Sequence, residues 1–122
     1  MKKILIVDDC KEIRQLVKTT LEMSDYRVFE VANGIKAIEI ARKYKPDIII
    51  MDLMMPGVDG VEATRQIKGD PETENCYIII LTGSDECYRE KVLKAGANDF
   101  FIKPFSPLDL LSKVDKILGA ST

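Results

Sequence analysis

The chain has 122 residues, of which 46% are hydrophobic, and it carries 18 Lys plus Arg against 20 Asp plus Glu. This length supports one packed core, so residues 1–122 are expected to form a single domain. With a net charge of −2 and no basic block, direct nucleic-acid binding is not expected. Apolar runs are far shorter than the roughly 20 residues that a membrane span needs, so no membrane association is expected either.

The three cysteines, Cys10, Cys76 and Cys87, are an odd number at unrelated spacings. Such spacing indicates neither a disulfide framework nor a zinc site. No targeting segment is recognisable before the first strand-like run. The expectation is therefore a cytoplasmic protein with reduced thiols.

Short apolar runs alternate five times with segments of helical period, which predicts five consecutive strand–helix units. The strands are predicted at residues 3–7, 27–31, 47–51, 77–81 and 98–102. Runs such as "DIIIM" lack polar alternation, which is typical of a parallel strand buried on both faces. The second run, "RVFEV", contains charges and is predicted to be an edge strand. The fold class is therefore α/β.

The first and last helices each show one apolar stripe that can pack on a sheet. In the first helix the stripe is predicted to contain Ile13, Leu16, Val17, Thr20 and Leu21. In the last helix it is predicted to contain Leu110, Leu111, Val114, Ile117 and Leu118. The last helix is expected to begin with a Ser106 cap followed by Pro107, and to stop at Gly119. Only "GAST" closes the sequence, so no effector domain is expected in this chain.

Polar residues that can bind a cation or take part in a reaction follow four of the five predicted strands. Asp8 and Asp9 follow the first strand and Asp52 follows the third. Thr82 with Gly83 follows the fourth strand, and Lys103 with Pro104 follows the fifth. If the first and third strands are neighbours, as in the order 2-1-3-4-5, the three carboxylates converge at the switch point of a doubly wound sheet. Such an excess of carboxylate favours a hard cation, and Mg²⁺ is the expected cofactor.

A carboxylate beside a divalent cation and a lysine can also attack phosphorus. The transferred phosphoryl oxygens then need cations and hydrogen-bond donors. The Lys103 ammonium, the Thr82 hydroxyl and the Gly83 main-chain N–H are donors of that kind. The residues themselves therefore favour phosphoryl transfer to an aspartate.

Four motifs resemble the receiver domain of bacterial two-component response regulators, in its single-domain, chemotaxis-regulator-like form. They are "LIVDD" at 5–9, "DIIIMDLMMPGVDG" at 47–60, "IILTG" at 79–83 and "KAGANDFFIKPF" at 94–105. The resemblance covers essentially the whole chain. It implies a flavodoxin-like three-layer sandwich around a five-stranded parallel sheet in the order 2-1-3-4-5.

The resemblance also implies roles for individual residues. Asp52 is implied to be the phosphoacceptor, and Asp9, Asp52 and the Met54 carbonyl to bind Mg²⁺ or Mn²⁺ directly. Asp8 is implied to act through a metal-bound water. Lys103 is implied to pair with the phosphoryl group and to precede a cis peptide bond to Pro104.

Thr82 and Phe100 are implied to form the switch that signals phosphorylation, with phenylalanine where many family members have tyrosine. The implied phosphodonor is a sensor histidine kinase or a histidine phosphotransfer protein. The implied output is altered affinity for a downstream protein on the face formed by the fourth helix, fifth strand and fifth helix. The chain is then a regulatory phosphoacceptor rather than an enzyme.

Other functions fit the residues less well. A small-molecule phosphohydrolase with an aspartate nucleophile typically carries a second acid two residues later, where this chain has Met54. A nucleotide or flavin binder needs a glycine-rich or hydroxyl-rich first loop, where Asp8 and Asp9 would repel phosphate. A degenerate receiver used only for protein interaction would not need the intact acid, threonine and lysine set. A self-sufficient sensor kinase is excluded because the chain has no histidine.

Overall fold

The computed structural model describes residues 1–83 and 86–119, except for the side chains of residues 86 and 87. Ser84, the Cys87 thiol and the last three residues of the "GAST" segment lie outside the described part. Five strands are present: β1 (Lys3–Val7), β2 (Arg27–Val31), β3 (Ile48–Asp52), β4 (Tyr77–Thr82) and β5 (Asp99–Ile102). They alternate with five helices: α1 (Lys11–Leu21), α2 (Gly34–Tyr44), α3 (Gly60–Lys68), α4 (Glu86–Lys94) and α5 (Pro107–Ile117).

The strands form one sheet in the order β2-β1-β3-β4-β5, and every neighbouring pair is parallel. The predicted fold class and strand order are therefore confirmed. The first two strands have the predicted bounds. β3 extends to Asp52 because this residue still pairs with Leu81, and β4 extends to Thr82, which pairs with Ile102. Both polar residues are consequently held by the sheet ladder rather than by a loop.

Helices cover both faces of the sheet, as a buried parallel sheet requires. On one face, α2, α3 and α4 pack through residues such as Ala37, Ile67 and Val92. On the other face, α1 and α5 pack through residues such as Leu21 and Val114. The result is a three-layer sandwich. β2, the predicted edge strand, is only half-buried, whereas the apolar residues of β3 have no exposed surface.

Side-chain caps define the starts of three helices. The Asn33 side chain accepts a hydrogen bond from the Lys36 N–H at the start of α2, at 2.9 Å. Asp59 caps α3 in the same way, and Ser106 caps α5 with Pro107 in its first turn. The predicted start of the last helix is confirmed. Within the described residues no helix is long and apolar enough to cross a bilayer.

The apolar stripe of α1 is narrower than predicted. Val17, Thr20 and Leu21 are buried, but Leu16 is 50% exposed, so its assignment to the buried face was wrong. Leu16 lies at the margin of the stripe, where it borders an open groove with Ile13 rather than contacting the sheet. Helical period alone identifies a face but does not locate where a neighbouring element ends.

This difference predicts unequal costs for two truncations in one helix. Leu21→Ala should lower the free energy of unfolding by about 2–5 kcal/mol because a fully buried side chain leaves a cavity. Leu16→Ala should cost about 1 kcal/mol or less, since much of that side chain is already in water. Urea unfolding followed by circular dichroism measures both. Equal losses would contradict the exposed placement of Leu16.

Candidate functional site

Three carboxylates meet at the carboxyl ends of β1 and β3. One ligand oxygen from each of Asp8, Asp9 and Asp52 lies within 4.8 Å of the other two. The sheet brings them together because β1 and β3 are neighbours, with Val7 paired to Met51. Asp8 is 1% exposed and Asp52 is also buried, whereas Asp9 is exposed. The convergence predicted from the sequence is therefore present, with unequal burial of the two adjacent aspartates.

Asp8 is held in place through both its side chain and its main chain. Its Oδ1 accepts a hydrogen bond from the Cys10 main-chain N–H at 2.9 Å. Its carbonyl oxygen accepts a bond from Arg14 Nη1 at 2.8 Å, and Arg14 Nε pairs with Glu30 at 3.0 Å. Its Oδ2 is buried and has no hydrogen-bond partner in the part of the chain that the structure describes. One oxygen of the site is thus left without compensation, which disfavours the charged carboxylate.

Burial raises the pKa of the Asp8 carboxyl above its usual value, and the nearby Asp52 charge raises it further. The hydrogen bond from Cys10 and the positive charge of Lys103 lower this pKa but do not cancel the rise. The charged form of Asp8 is therefore destabilised by the protein alone. A cation placed among the three carboxylates would offset the cost.

Lys103 provides a positive charge in contact with Asp52. Its Nζ lies 2.9 Å from Asp52 Oδ1, and its side chain is partly exposed. Its main-chain N–H donates to the Thr82 carbonyl at 2.7 Å, which extends the β4–β5 pairing. The Lys103–Pro104 peptide bond is cis, as the sequence resemblance implied. The ammonium and the candidate phosphoacceptor are therefore in direct contact.

Thr82 and Gly83 follow at the end of β4. Thr82 is buried, and its Oγ1 has no hydrogen-bond partner within the described residues. Gly83 is exposed, and a Cβ built on it meets no atom within 4 Å. These two residues therefore offer a hydroxyl and an open main-chain edge on the same side of the sheet as the carboxylates.

The loop after β3 is shaped by glycine. A Cβ added to Gly60 would lie 2.7 Å from the Asp52 carbonyl oxygen, so only glycine allows α3 to start this close to the site. Gly57 adopts a positive φ of 78°, and Asp59 caps α3. Met55 is buried, whereas the Met54 side chain is 63% exposed.

The donor set fits a divalent cation on its own chemistry. It contains three carboxylates and one ammonium, and one carboxylate oxygen is buried without a partner. Hard oxygen donors of this kind are the ligands that Mg²⁺ and Mn²⁺ prefer. The same edge also carries Lys103, Thr82 and Gly83, the donors that phosphoryl oxygens require.

Comparison with known proteins agrees with this geometry. Residues 4–115 match the family described as the response regulator receiver domain. The chain belongs to this family. Receiver domains act in two-component phosphorelay signalling, so this receiver domain functions in phosphorelay signal transduction and not as the phosphohydrolase considered above.

Two relatives illustrate the sequence similarity. The transcriptional regulatory protein ResD of Bacillus subtilis is 41% identical over 117 residues, which cover 95% of this chain and 48% of ResD. Protein PilH of Pseudomonas aeruginosa is 37% identical over 121 residues, which cover 98% of this chain and 99% of PilH. The chain thus spans about half the length of several transcriptional regulators that it matches, and nearly all of PilH.

A solved structure agrees closely in fold. The receiver domain of the sensor histidine kinase PA1611 from Pseudomonas aeruginosa superposes with a TM-score of 0.88 at 34% identity. The match covers 98% of each chain. That receiver domain has a magnesium ion coordinated in its active-site cleft. Receiver domains therefore occur both in response regulators and in sensor kinases.

The position of Phe100 in this receiver domain follows from the strand alternation. Phe100 and Phe101 are adjacent in β5 and therefore point to opposite faces of the sheet. Phe100 packs on the core beneath α2, α3 and α4, whereas Phe101 packs on the α1 and α5 side. Phe101 also contacts Phe105 edge to face, with ring centroids 6.5 Å apart.

Two arginines contact this framework although the sequence analysis did not select them. Arg14 holds the main chain of Asp8, and the Arg89 guanidinium lies over the Phe100 ring. Each contact joins residues from different elements. No motif or periodicity in the sequence indicates either contact, because each contact depends on how its helix packs against the rest of the domain.

Proposed function

We propose that Asp52 is the phosphoacceptor of this receiver domain and that the donor is a phosphohistidine of a sensor histidine kinase or a histidine phosphotransfer protein. The contact of 2.9 Å between Lys103 Nζ and Asp52 Oδ1, at the centre of the acidic cluster, is the observation that carries this assignment. An Asp52 oxygen forms the new bond to phosphorus while the donor's phosphorus–nitrogen bond breaks. The electron pair of the broken bond stays on the histidine ring.

A divalent cation, Mg²⁺ or Mn²⁺, is the proposed cofactor. Asp9, Asp52 and the Met54 main-chain carbonyl would hold it, and Asp8 would act mostly through a metal-bound water. The buried, unpartnered Oδ2 of Asp8 supports a cation at this position. When bound, the cation offsets the negative charge on the phosphoryl oxygens.

The protein's own donors are proposed to receive the phosphoryl group. The Lys103 ammonium moves from the Asp52 carboxylate to a phosphoryl oxygen, and the Thr82 hydroxyl and Gly83 N–H donate to others. Thr82 Oγ1 is available for this role because it is buried without a partner in the described structure. An unsatisfied buried hydroxyl is costly, so the new bond would be favourable.

Mass spectrometry after incubation with acetyl phosphate and Mg²⁺ tests the proposal. We expect a mass gain of one phosphoryl group that requires the divalent cation and disappears with EDTA. Peptide mapping should place the group on Asp52. The absence of any mass gain at saturating acetyl phosphate would contradict the proposed function.

The output is proposed to be a change in protein affinity on the face formed by α4, β5 and α5. Ile102 is more than half exposed there, and Phe100 connects the face to the core.

We propose one domain over residues 1–122 that acts in the cytoplasm without direct contact to nucleic acid. It assists only its own phosphorylation and dephosphorylation and is not an enzyme for a separate substrate.

Thr82→Ala tests the proposed link between the site and this face. The variant should still accept phosphate at Asp52, because Lys103 and the cation remain. It should lose most of the amide chemical-shift change around Phe100 that beryllofluoride with Mg²⁺ causes in the parent, since one hydrogen bond selects between two packings. Thr82→Ser keeps the hydroxyl and serves as the matched control. Equal shift changes in Thr82→Ala and the parent would show that Thr82 is not the coupling residue.

Met54 is expected to give the phosphorylated form a long lifetime. The Met54 side chain is exposed two residues after Asp52, and a thioether cannot hold an attacking water as an amide can. Met54→Asn should therefore speed the decay of phospho-Asp52 about five- to tenfold, corresponding to one added hydrogen bond. The decay is followed by loss of the phosphoryl mass. Met23→Asn, at another exposed methionine, is the control, and an unchanged rate in Met54→Asn would refute the role.

A further inference from the structure

The Arg89 side chain connects α4 to the proposed switch. Its guanidinium carbon lies 4.7 Å from the centroid of the Phe100 ring. Arg89 is exposed, whereas Phe100 is half-buried and packs against the core on the α2, α3 and α4 side of the sheet. A cation at this distance over an aromatic face is attracted by the negative face of the ring. The contact therefore favours the ring position that is seen in this structure.

Phe100 and Thr82 project from the same face of the sheet. Phe100 pairs with Ile80 and Thr82 pairs with Ile102, so the two side chains are separated by one diagonal step across β4 and β5. Among the residues that the structure describes, the Thr82 hydroxyl has no hydrogen-bond partner. The Arg89 contact thus coexists with an unengaged Thr82, which is the arrangement expected before phosphorylation.

The contact also differs from a second cation–aromatic pair in the described part of α4. Lys91 Nζ lies 5.4 Å from the Tyr88 ring centroid, but both residues belong to the same helix. That pair cannot restrain a neighbouring element. The Arg89–Phe100 pair joins α4 to β5, so any rotation of the ring away from Arg89 must break it.

We propose that Arg89 is a positioning residue that holds the Phe100 ring in the unphosphorylated arrangement, so that it opposes activation of the receiver domain. This inference rests on the proposed function, because it names the regulation of the same switch. A contact that is made only in the unphosphorylated arrangement stabilises that arrangement. By linkage, it weakens the binding of any ligand that favours the phosphorylated arrangement. Removing the contact should therefore make activation easier.

The test compares Arg89→Gln with Lys91→Gln, which removes the same charge from the same helix. Beryllofluoride with Mg²⁺ is the probe, and its half-saturation concentration is read from NMR spectra. Arg89→Gln should lower that concentration about two- to fivefold, the factor expected for an exposed cation–π contact. Lys91→Gln should leave it unchanged, and Arg89→Lys, which keeps a cation, should fall between the parent and Arg89→Gln.

A second readout needs no phosphoryl mimic. In the untreated Arg89→Gln protein, the aromatic resonances of Phe100 should move part of the way toward their positions in the treated parent. In a Phe100→Leu background, Arg89→Gln should have no further effect on half-saturation, since the aromatic face is absent. The proposed role of Arg89 is contradicted if Arg89→Gln matches the parent in both readouts, or if its effect persists when the Phe100 ring is absent. Mg²⁺-dependent phosphorylation of the parent by acetyl phosphate would still stand in that case, so the proposed function fails or survives separately.

Discussion

Asp52→Asn is expected to abolish phosphorylation by acetyl phosphate in the presence of Mg²⁺. An amide has no anionic oxygen with which to attack phosphorus, and the substitution also removes one of the three clustered carboxylates. The effect should be complete because, among the described residues, Asp52 alone combines contact with Lys103 and proximity to the other two acids. Intact-protein mass spectrometry measures the result directly.

Asp25→Asn provides the matched control, since Asp25 is an exposed aspartate in the connection between α1 and β2. It should be phosphorylated to the same extent as the parent. Circular dichroism of Asp52→Asn should show the parental secondary structure, so that the loss cannot be attributed to unfolding. Phosphorylation of Asp52→Asn at the parental rate would mean that another residue is the acceptor.

Neutralising Asp8 should stabilise the metal-free protein. Asp8 is buried beside Asp52 and has an unpartnered oxygen, so Asp8→Asn removes a desolvated charge and a repulsion together. We expect a gain of about 1 kcal/mol or more, which corresponds to a rise of roughly 3–6 °C in Tm for a domain of this size. Asp9→Asn should give a smaller gain because Asp9 is exposed to water. Thermal unfolding in EDTA gives both values.

The pH dependence of the metal-free parent should have the corresponding sign. The pKa of Asp8 is raised in the folded protein by burial and by the Asp52 charge, so the folded state binds its proton more tightly than the unfolded state does. Above the folded pKa, the free-energy cost of the charged Asp8 carboxylate is fully present. Acidification from the folded pKa down to the unfolded pKa should therefore remove that cost and stabilise the folded state. Asp8→Asn should lose this contribution. A parent and a variant with parallel pH profiles would contradict the assignment.

Magnesium should reverse the order of melting temperatures, so that the parent becomes more stable than its aspartate variants. A cation that binds only the folded state stabilises it by about 2.7 kcal/mol at a concentration of 100 Kd. The parent should gain this stabilisation, and Asp9→Asn should lose most of it because it removes a proposed direct ligand. Unchanged melting temperatures for both aspartate variants, with and without Mg²⁺, would show that these charges neither crowd one another nor bind the cation.

Much of the fold and of the candidate site could be predicted from the sequence, because the burial of strands and the position of their ends depend on local patterns. The apolar runs at 47–51 and 77–81 predicted buried parallel strands, and the charged run at 27–31 predicted an edge strand; the sheet has these properties. Since parallel strands end at one edge, the placement of Asp52 and Lys103 after different strands was enough to predict their proximity. Alternation in β5 likewise separated Phe100 from Phe101.

Tertiary structure alone decided the properties that depend on which element covers a residue. Asp8 and Asp9 are adjacent and chemically identical, yet only Asp8 is buried, because its side chain points inward and the Cys10 N–H closes over it. Leu16 fits the apolar stripe of α1 by its spacing, yet half of its surface is exposed. The Met54 side chain is also exposed. The Arg89–Phe100 contact joins residues from two elements whose separation is set by helix packing. Sequence periodicity specifies which face a side chain occupies, but the distance to a partner on another element arises only when the whole chain is packed.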